Sequence, residues 1–318
     1  MKIVFMGTPD FAVASLKRLV ADGHDICGVF TQPDKPKNRG MKLIAPPVKE
    51  YALTQGLHVY QPLKMKDGTA LELVRSLAPE LIVVAAYGRI LPEDILNTPK
   101  YGAINVHSSI LPKYRGAAPI NWAIINGERE TGVTTFLLNH EIDKGAILAQ
   151  ARMPILPEDN VGTMYDKLMH RGTELVLDTV ERLAAGDVTP VAQPEYDDGQ
   201  LKPAPKLFKE DCRIDWSLPG RRIVDFVRGL SPYPAAWSGV VRDGESEPAT
   251  SVKIFTARFE AARHGEQPGS LFSDGRTLRV ACVDGWIWLD ELQMAGKKRL
   301  PVRELLLGWR DVNNCSFR

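Results

Sequence analysis

The sequence predicts an α/β protein in which a doubly wound, mostly parallel sheet is followed by a smaller β-barrel domain. Two observations predict the sheet. Apolar runs at 2–6, 26–31 and 81–86 alternate with segments of helical spacing, and the run LIVVAA at 81–86 is apolar throughout, as in a strand buried on both faces. The barrel is predicted by short β-like runs after residue 207, separated by Gly and Asp turns.

The remaining elements follow the same two periodicities. In the first domain we predict helices at 11–20, 48–55, 68–77, 117–126 and 161–185, and further strands at 57–60, 103–107, 131–138 and 146–151. In the second domain we predict a helix at 221–230 and strands at 238–241, 252–257, 278–282 and 286–289. Residues 189–207 are rich in proline and polar residues without periodicity, which is typical of a linker. The predicted division is therefore 1–188, a linker at 189–207, and 208–318.

Composition excludes several classes of protein. A hydrophobic share of 44% and a charged share of 25% are ordinary for a globular chain, and a net charge of +1 does not by itself indicate a nucleic-acid binder. The most apolar stretch is too short to span a membrane, and a strand predicted at residue 2 leaves no room for a signal peptide. We expect a cytoplasmic protein that does not associate with membranes. The 4 cysteines are scattered without a C-x-x-C pair, so we expect reduced thiols, no disulfide framework and no metal.

The first predicted turn, GTPDFA, resembles the opening of a nucleotide-binding unit. It contains one glycine where the dinucleotide fingerprint needs three, so the first βα unit of a doubly wound sheet is the favoured interpretation.

The most reactive side chains lie at the end of the strand predicted at 103–107. Asn105 and His107 are two residues apart and therefore point to the same face, and ligands of open α/β sheets bind beyond the carboxyl ends of strands. Asp143 lies in the polar turn after the strand at 131–138, within reach of His107, although an aspartate two residues before a glycine is also a common turn former.

These three residues can support acyl transfer without a covalent nucleophile. The Asn105 amide and a protonated His107 can both donate to an oxyanion, each such donor being worth ~10²–10³ in rate. Asp143 would stabilise the imidazolium. His107, directly or through a water ordered by Asp143, is the candidate base, worth ~10²–10⁴. A serine hydrolase using Ser108 or Ser109 is the alternative. Neighbouring residues seldom reach each other correctly, and no G-x-S-x-G elbow is present.

Two loops accompany this segment. The long basic loop QPDKPKNRGMKLIAPP is either a solvated surface or a phosphate contact. Its cations are Lys35, Lys37, Arg39 and Lys42. The loop YGRILP follows the strand at 81–86 and is expected to line the cleft, where Gly88 lets a flat ligand approach the backbone. For Tyr87, packing is favoured over ligand contact.

The segment NVHSSILPKYRGAAPI, with IDKG downstream, resembles the signature of the folate-dependent formyltransferases. The resemblance implies a Rossmann-like catalytic domain that transfers the formyl group of 10-formyltetrahydrofolate to an amine, with Asn105, His107 and Asp143 as catalytic residues. Ser108, Glu141 and Ala146 stand where the family commonly has glycine, glycine and an acid.

The blocks GTPDFA, TQPDKPKNRGMKL, AYGRILP, RIDWSLP, SPYP and LQMAGKKR are similar to those of family members that formylate methionyl-initiator tRNA for translation initiation. The resemblance then implies an OB-like second domain that binds tRNA. We expect the chain to act as a monomer. Implied folate contacts are Tyr87, Gly88, Ile90, Leu91, Ser109, Ile110, Leu111 and Pro112. Implied tRNA contacts are Lys35, Lys37, Arg39 and Lys42 in the basic loop, and Lys297, Lys298 and Arg299 in GKKR. Two alternatives stay open: a formyltransferase acting on a sugar-nucleotide or other small amine, and a non-catalytic RNA-binding protein.

Overall fold

A computed structural model describes residues 1–37, 42–194 and 201–318 of the chain. The elements up to residue 185 are β1 (Lys2–Gly7), α1 (Asp10–Ala21), β2 (Asp25–Phe30), β3 (Lys35–Lys37), β4 (Lys42–Ile44), α2 (Pro47–Thr54), β5 (Val59–Tyr60), α3 (Thr69–Leu77), β6 (Leu81–Ala85), α4 (Glu93–Leu96), β7 (Ala103–His107), α5 (Pro119–Ile125), β8 (Glu130–Leu137), β9 (Ile147–Pro154) and α6 (Val161–Ala185). Those that follow are α7 (Gly220–Leu230), β10 (Ala236–Arg242), β11 (Thr250–Ala261), β12 (Leu271–Ser273), β13 (Leu278–Cys282), β14 (Gly285–Met294), β15 (Leu300–Pro301), α8 (Val302–Leu306) and β16 (Cys315–Phe317).

The first compact unit consists of residues 1–116, 131–153 and 166–203. Its sheet has the strand order β5-β2-β1-β6-β7-β8-β9. The pairs β2–β5, β1–β2, β1–β6 and β6–β7 are parallel, and β7–β8 is antiparallel. Strand order reverses between β1 and β6, which is the point where doubly wound sheets bind ligands. The predicted fold class is confirmed.

The centre of this sheet is apolar because its strands are covered on both faces. Every residue of β6 is buried, as the uninterrupted run LIVVA predicts. Packing is tight where β1 turns into α1. A Cβ added at Gly7 would lie 2.6 Å from the Ala12 Cβ and 3.0 Å from the Ala85 carbonyl oxygen, so only glycine fits there.

The second compact unit consists of residues 117–130, 154–165 and 204–318. Its strands follow the order β12-β13-β14-β11-β10-β16, and the paired strands are antiparallel. A bridge between Ser270 and Ser316 joins the two ends of this path, which nearly closes the sheet into a barrel. Register shifts in β11 around Thr256 give the bulges that bend a strand in a small barrel. The predicted barrel is therefore confirmed.

Several short elements were not predicted. The sequence did not predict the paired strands β3 and β4 in the basic loop, nor the elements α4, β12, β15, α8 and β16. Within the predicted linker, Val191 pairs with Ile147, and the Lys202 carbonyl accepts a hydrogen bond from the Tyr114 amide at 2.8 Å. These parts of the 189–207 segment are therefore bonded to the first unit.

Candidate active site

Strand β7 presents Asn105 and His107 at the carboxyl end of the first unit's sheet. Asn105 lies between Val84 of β6 and Phe136 of β8 in the strand register. Because side chains alternate along a strand, the intervening Val106 faces the other side. Asn105 is half-buried, and its carboxamide makes no hydrogen bond with any residue in the described ranges. A free amide at the end of a strand can donate to a ligand.

His107 is 7% exposed, and its two ring nitrogens have different surroundings. Nε2 lies 2.8 Å from the Tyr114 carbonyl oxygen. A carbonyl oxygen only accepts, so Nε2 carries a proton and donates it there. Nδ1 lies 3.8 Å from Oδ2 of Asp143, which is longer than a hydrogen bond. His107 therefore has one ring nitrogen left for chemistry, and this is Nδ1.

Asp143 is held by its own turn. Its backbone has a φ of 54°, in the left-handed region that aspartate tolerates better than most residues. Its Oδ2 accepts a hydrogen bond from the Gly116 amide at 2.9 Å, and its side chain is 13% exposed. Two residues on, a Cβ at Gly145 would lie 1.5 Å from the Leu137 carbonyl oxygen. The turn that carries the carboxylate is thus fixed closely against β8.

Three consecutive residues, which we call the 114–116 turn, connect the parts of this site. Tyr114 has a φ of 60° and Gly116 a φ of 126°, so the backbone reverses sharply here. The Tyr114 carbonyl accepts from His107, and the Gly116 amide donates to Asp143. The Arg115 guanidinium donates from Nε and Nη2 to Oε1 of Gln193, at 3.1 and 2.6 Å. The turn therefore sets the positions of both the imidazole and the carboxylate.

Gln193 was not predicted as a site residue. Its Nε2 donates to the carbonyl oxygens of Asp143 and Gly145, both at 2.8 Å. Burial lowers the pKa of the neighbouring Arg115, and the charges of Asp143 and Glu141 act in the opposite direction. The segment around Gln193 has no periodicity or motif, so its sequence gives no signal of this contact.

The predicted folate contacts differ in accessibility. Gly88 is exposed with a φ of 78°, and Ile90 is 65% exposed. Ile110 and Pro112 are half-buried, whereas Tyr87, Leu91, Ser109 and Leu111 are buried.

Two of the buried residues are engaged inside the protein. The Tyr87 hydroxyl lies 3.4 Å from the sulfur of Met65, and burial raises the pKa of the Tyr87 phenol. The Ser109 hydroxyl donates to the Lys113 carbonyl at 2.7 Å. Ser109 is therefore bonded away from His107, which counts against Ser109 as the nucleophile of the serine-hydrolase alternative.

The predicted tRNA contacts lie on two loops. Lys35 is exposed on β3, and Lys37 and Lys42 lie at the ends of the hairpin strands, while Arg39 lies outside the described residues. Lys297 and Lys298 are exposed after Gly296. Arg299 forms a salt bridge with Glu291, and its guanidinium lies 4.1 Å from the centre of the Phe255 ring. Arg299 is thus the least available of the three cations in GKKR.

Other predictions concern metals, thiols and membranes. Cys27, Cys212, Cys282 and Cys315 are free thiols, and burial raises the pKa of each. In the part of the chain that the structure describes, no group of three or more His, Cys, Asp or Glu side chains could hold a metal ion. None of the described helices combines the length and apolar character needed to cross a bilayer.

Two family models match the chain. The one described as formyl transferase covers residues 1–180, and the one described as formyl transferase, C-terminal domain, covers residues 206–310. The two matches and the fold define the class of this protein as a formyl transferase.

Sequence identity to known relatives identifies the family within this class. The chain is 51% identical to methionyl-tRNA formyltransferase from Bacteroides fragilis, over 97% of this chain and 95% of that protein. It is 45% identical to methionyl-tRNA formyltransferase from Geotalea uraniireducens, over 98% of this chain and 96% of that one. The chain belongs to the methionyl-tRNA formyltransferase family.

Solved structures of more distant proteins share the fold. An N-formyltransferase from Helicobacter canadensis, in complex with folinic acid and dTDP-3-aminofucose, aligns with a TM-score of 0.64 at 19% identity, over 92% of this chain and 99% of that one. HypX from Aquifex aeolicus in complex with tetrahydrofolic acid aligns with a TM-score of 0.61 at 21% identity, over 96% of this chain and 47% of that one. At such identities the likeness concerns the fold alone.

Proposed function

We propose that this enzyme transfers the formyl group of 10-formyltetrahydrofolate to the α-amine of methionyl-initiator tRNA, for translation initiation in the cytoplasm. The similarity to methionyl-tRNA formyltransferases over nearly the whole chain supports the two substrates. The single structural observation that carries the chemistry is a free Asn105 carboxamide on the same strand face as His107, whose Nδ1 lies 3.8 Å from Asp143.

Asn105, His107 and Asp143 divide the chemistry among them in this proposal. The Asn105 amide donates to the formyl oxygen as negative charge develops there, an interaction worth ~10²–10³ in rate. Since the Nε2 proton of His107 is held by the Tyr114 carbonyl, the Nδ1 lone pair accepts the proton that the attacking amine must lose. Asp143 stabilises the imidazolium that results, and this imidazolium returns the proton to the tetrahydrofolate nitrogen as its bond to the formyl carbon breaks.

From the sequence, His107 was a candidate both for the oxyanion donor and for the base. One ring nitrogen cannot serve as oxyanion donor and proton acceptor at the same time, and Nε2 is already bonded to a carbonyl oxygen. We therefore assign the oxyanion contact to Asn105 and the base to His107.

We propose that the loop after β6 packs against the flat ring of folate. Ile90 is 65% exposed, and exposed apolar side chains beside a strand-end cleft are suited to covering an aromatic ligand. Gly88 has a φ of 78°, and a Cβ added there would meet nothing closer than the Gln32 amide nitrogen at 3.6 Å, an ordinary contact distance, so the backbone is not crowded at this point. We propose Gly88, Ile90 and Leu91 on one side, with Ile110, Leu111 and Pro112 on the other, as the residues that hold folate. When bound, 10-formyltetrahydrofolate supplies the activated one-carbon unit.

Lys35, Lys297 and Lys298 are exposed cations, and we propose them as phosphate contacts of the tRNA. Contacts of this kind position the RNA without reading its sequence. In this division the first domain performs the chemistry and the barrel domain contributes to RNA binding, and the enzyme acts as a monomer.

The function is tested by incubating the protein with 10-formyltetrahydrofolate labelled in the formyl carbon and with methionyl-initiator tRNA. We expect label to appear in formylmethionine, and we expect Asn105→Ala to lower the rate by ~10²–10³. A dTDP-amino sugar in place of the tRNA serves as the second acceptor. Label in the sugar but not in the tRNA would overturn the proposed acceptor. Undiminished transfer by Asn105→Ala would overturn the proposed site.

A further inference from the structure

Gln193 uses every hydrogen-bonding group of its carboxamide on the candidate active site. Oε1 accepts twice from Arg115, at 3.1 and 2.6 Å, and Nε2 donates to the carbonyl oxygens of Asp143 and Gly145, both at 2.8 Å. Its neighbours Ala192 and Pro194 are exposed, whereas Gln193 is half-buried. This side chain is therefore directed inward from a segment that is otherwise exposed.

These hydrogen bonds form a closed ring that passes through Asp143 and includes its carboxylate. Gln193 joins the backbone of Asp143 to the side chain of Arg115. The next residue, Gly116, donates its amide to the carboxylate of the same Asp143. Both the backbone and the side chain of Asp143 are thus tied to the 114–116 turn, by two different routes.

The backbone conformation of Asp143 requires contacts that hold it in place. Its φ of 54° is a conformation that residues other than glycine rarely adopt, so surrounding contacts must hold the turn in place. A displacement of ~1 Å in an active-site group can cost as much as 10²-fold in rate.

We infer that Gln193 is a positioning residue that fixes the Asp143 carboxylate relative to His107 during formyl transfer. This inference rests on the proposed function and adds to it a residue from the segment between the two family matches. Gln193 acts through Asp143 and is not placed in contact with substrate.

The first test compares Gln193→Ala and Gln193→Glu with the wild type. Glutamate keeps the volume and the bond to Arg115 but presents oxygen, in place of two N–H donors, to the carbonyls of Asp143 and Gly145. We expect both variants to lower kcat about tenfold, because a loosened Asp143 carboxylate should cost less than the 10²-fold of a full ~1 Å displacement. We expect KM for each substrate to change less than twofold. A wild-type kcat in Gln193→Glu would overturn the inference, even if the alanine variant folds poorly.

Gln55→Ala is the matched control. Gln55 is exposed at the end of α2 and its side chain donates to the adjacent Thr54 at 3.3 Å, so this variant should keep the wild-type kcat.

The second test asks whether Gln193 acts through Asp143. Gln193→Ala is combined with Asp143→Asn in one variant and with Asn105→Ala in another, and single-turnover rates are compared. We expect Gln193→Ala to cost less than twofold in the Asp143→Asn background and its full tenfold in the Asn105→Ala background. Equal losses in the two backgrounds would overturn the inference. Failure of the wild type to formylate methionyl-tRNA would instead overturn the proposed function, before any variant is compared.

Discussion

Replacing Asp143 with asparagine removes the negative charge of this side chain and keeps its shape. Asparagine tolerates a left-handed backbone, and its oxygen can still accept the Gly116 amide. The carboxylate lies 3.8 Å from Nδ1 of His107. At that separation two unit charges interact by about 4 kcal/mol at an effective dielectric constant of roughly 20. This energy corresponds to ~10³ in rate if the imidazolium is fully formed in the transition state.

The expected loss is ~10²–10³ in kcat, since proton transfer is incomplete in the transition state and the Asp143 side chain retains some solvent exposure. Single-turnover formyl transfer with both substrates saturating gives the rate, and urea unfolding verifies the fold. Glu141→Gln is the control, because it removes an exposed charge from the same turn and should leave the rate within twofold of the wild type. A folded Asp143→Asn variant with a rate within threefold of the wild type would refute the argument that this carboxylate stabilises His107.

Three further predictions concern other parts of the chain. Lys298→Ala should weaken tRNA binding and lower the slope of log affinity against log salt by ~0.7–0.9, measured by anisotropy at several salt concentrations. Gly145→Ala should destabilise the protein by about 3 kcal/mol or prevent folding, because the new Cβ would lie 1.5 Å from a carbonyl oxygen; urea unfolding measures this. Lys49→Met should lower the melting temperature at neutral pH but not in acid. The reason is that hydrogen bonds from Lys49 and Gln61 lower the pKa of Asp34, and the variant removes the first of them. A carboxyl group with a lowered folded-state pKa stabilises the fold above its unfolded pKa, and this stabilisation is lost as pH falls through the folded value.

Each of these predictions has a matched control. Arg299→Ala should weaken tRNA binding less than Lys298→Ala, because Arg299 is paired with Glu291. Gly265→Ala should be neutral, since a Cβ there meets nothing within 4 Å. Lys66→Met, on an exposed lysine, should change the melting temperature equally at all pH values. The opposite order of the two cation variants, a stable Gly145→Ala, or a pH-independent effect of Lys49→Met would contradict the respective argument.

The fold was predictable where local pattern and burial agree. The run LIVVA became β6 because a doubly covered strand needs no polar residue, and the alternation at the end of β7 set Asn105 and His107 on one face. The strand β16 was missed because it has only 3 residues and is formed by pairing with β10, far away in the chain. Short strands held by distant partners give no periodicity of their own.

The candidate site was predictable only where it depends on residues that are close in the sequence. The residue types at the strand end, and a turn aspartate within reach of them, were visible in the sequence. The sequence did not show which nitrogen of His107 is occupied, because that depends on the carbonyl of Tyr114. Nor did it show Gln193, whose partners Asp143 and Gly145 lie 50 and 48 positions earlier in the chain.

The 114–116 turn has a consequence for attempts to change the acceptor of this enzyme. Three adjacent residues there contact the imidazole, the carboxamide of Gln193 and the carboxylate in turn. Randomising any one of them in a library would disturb the alignment of the other two, and an insertion would shift all of them together. Libraries aimed at new amines are therefore better directed at the exposed loop surfaces, with this tripeptide kept whole.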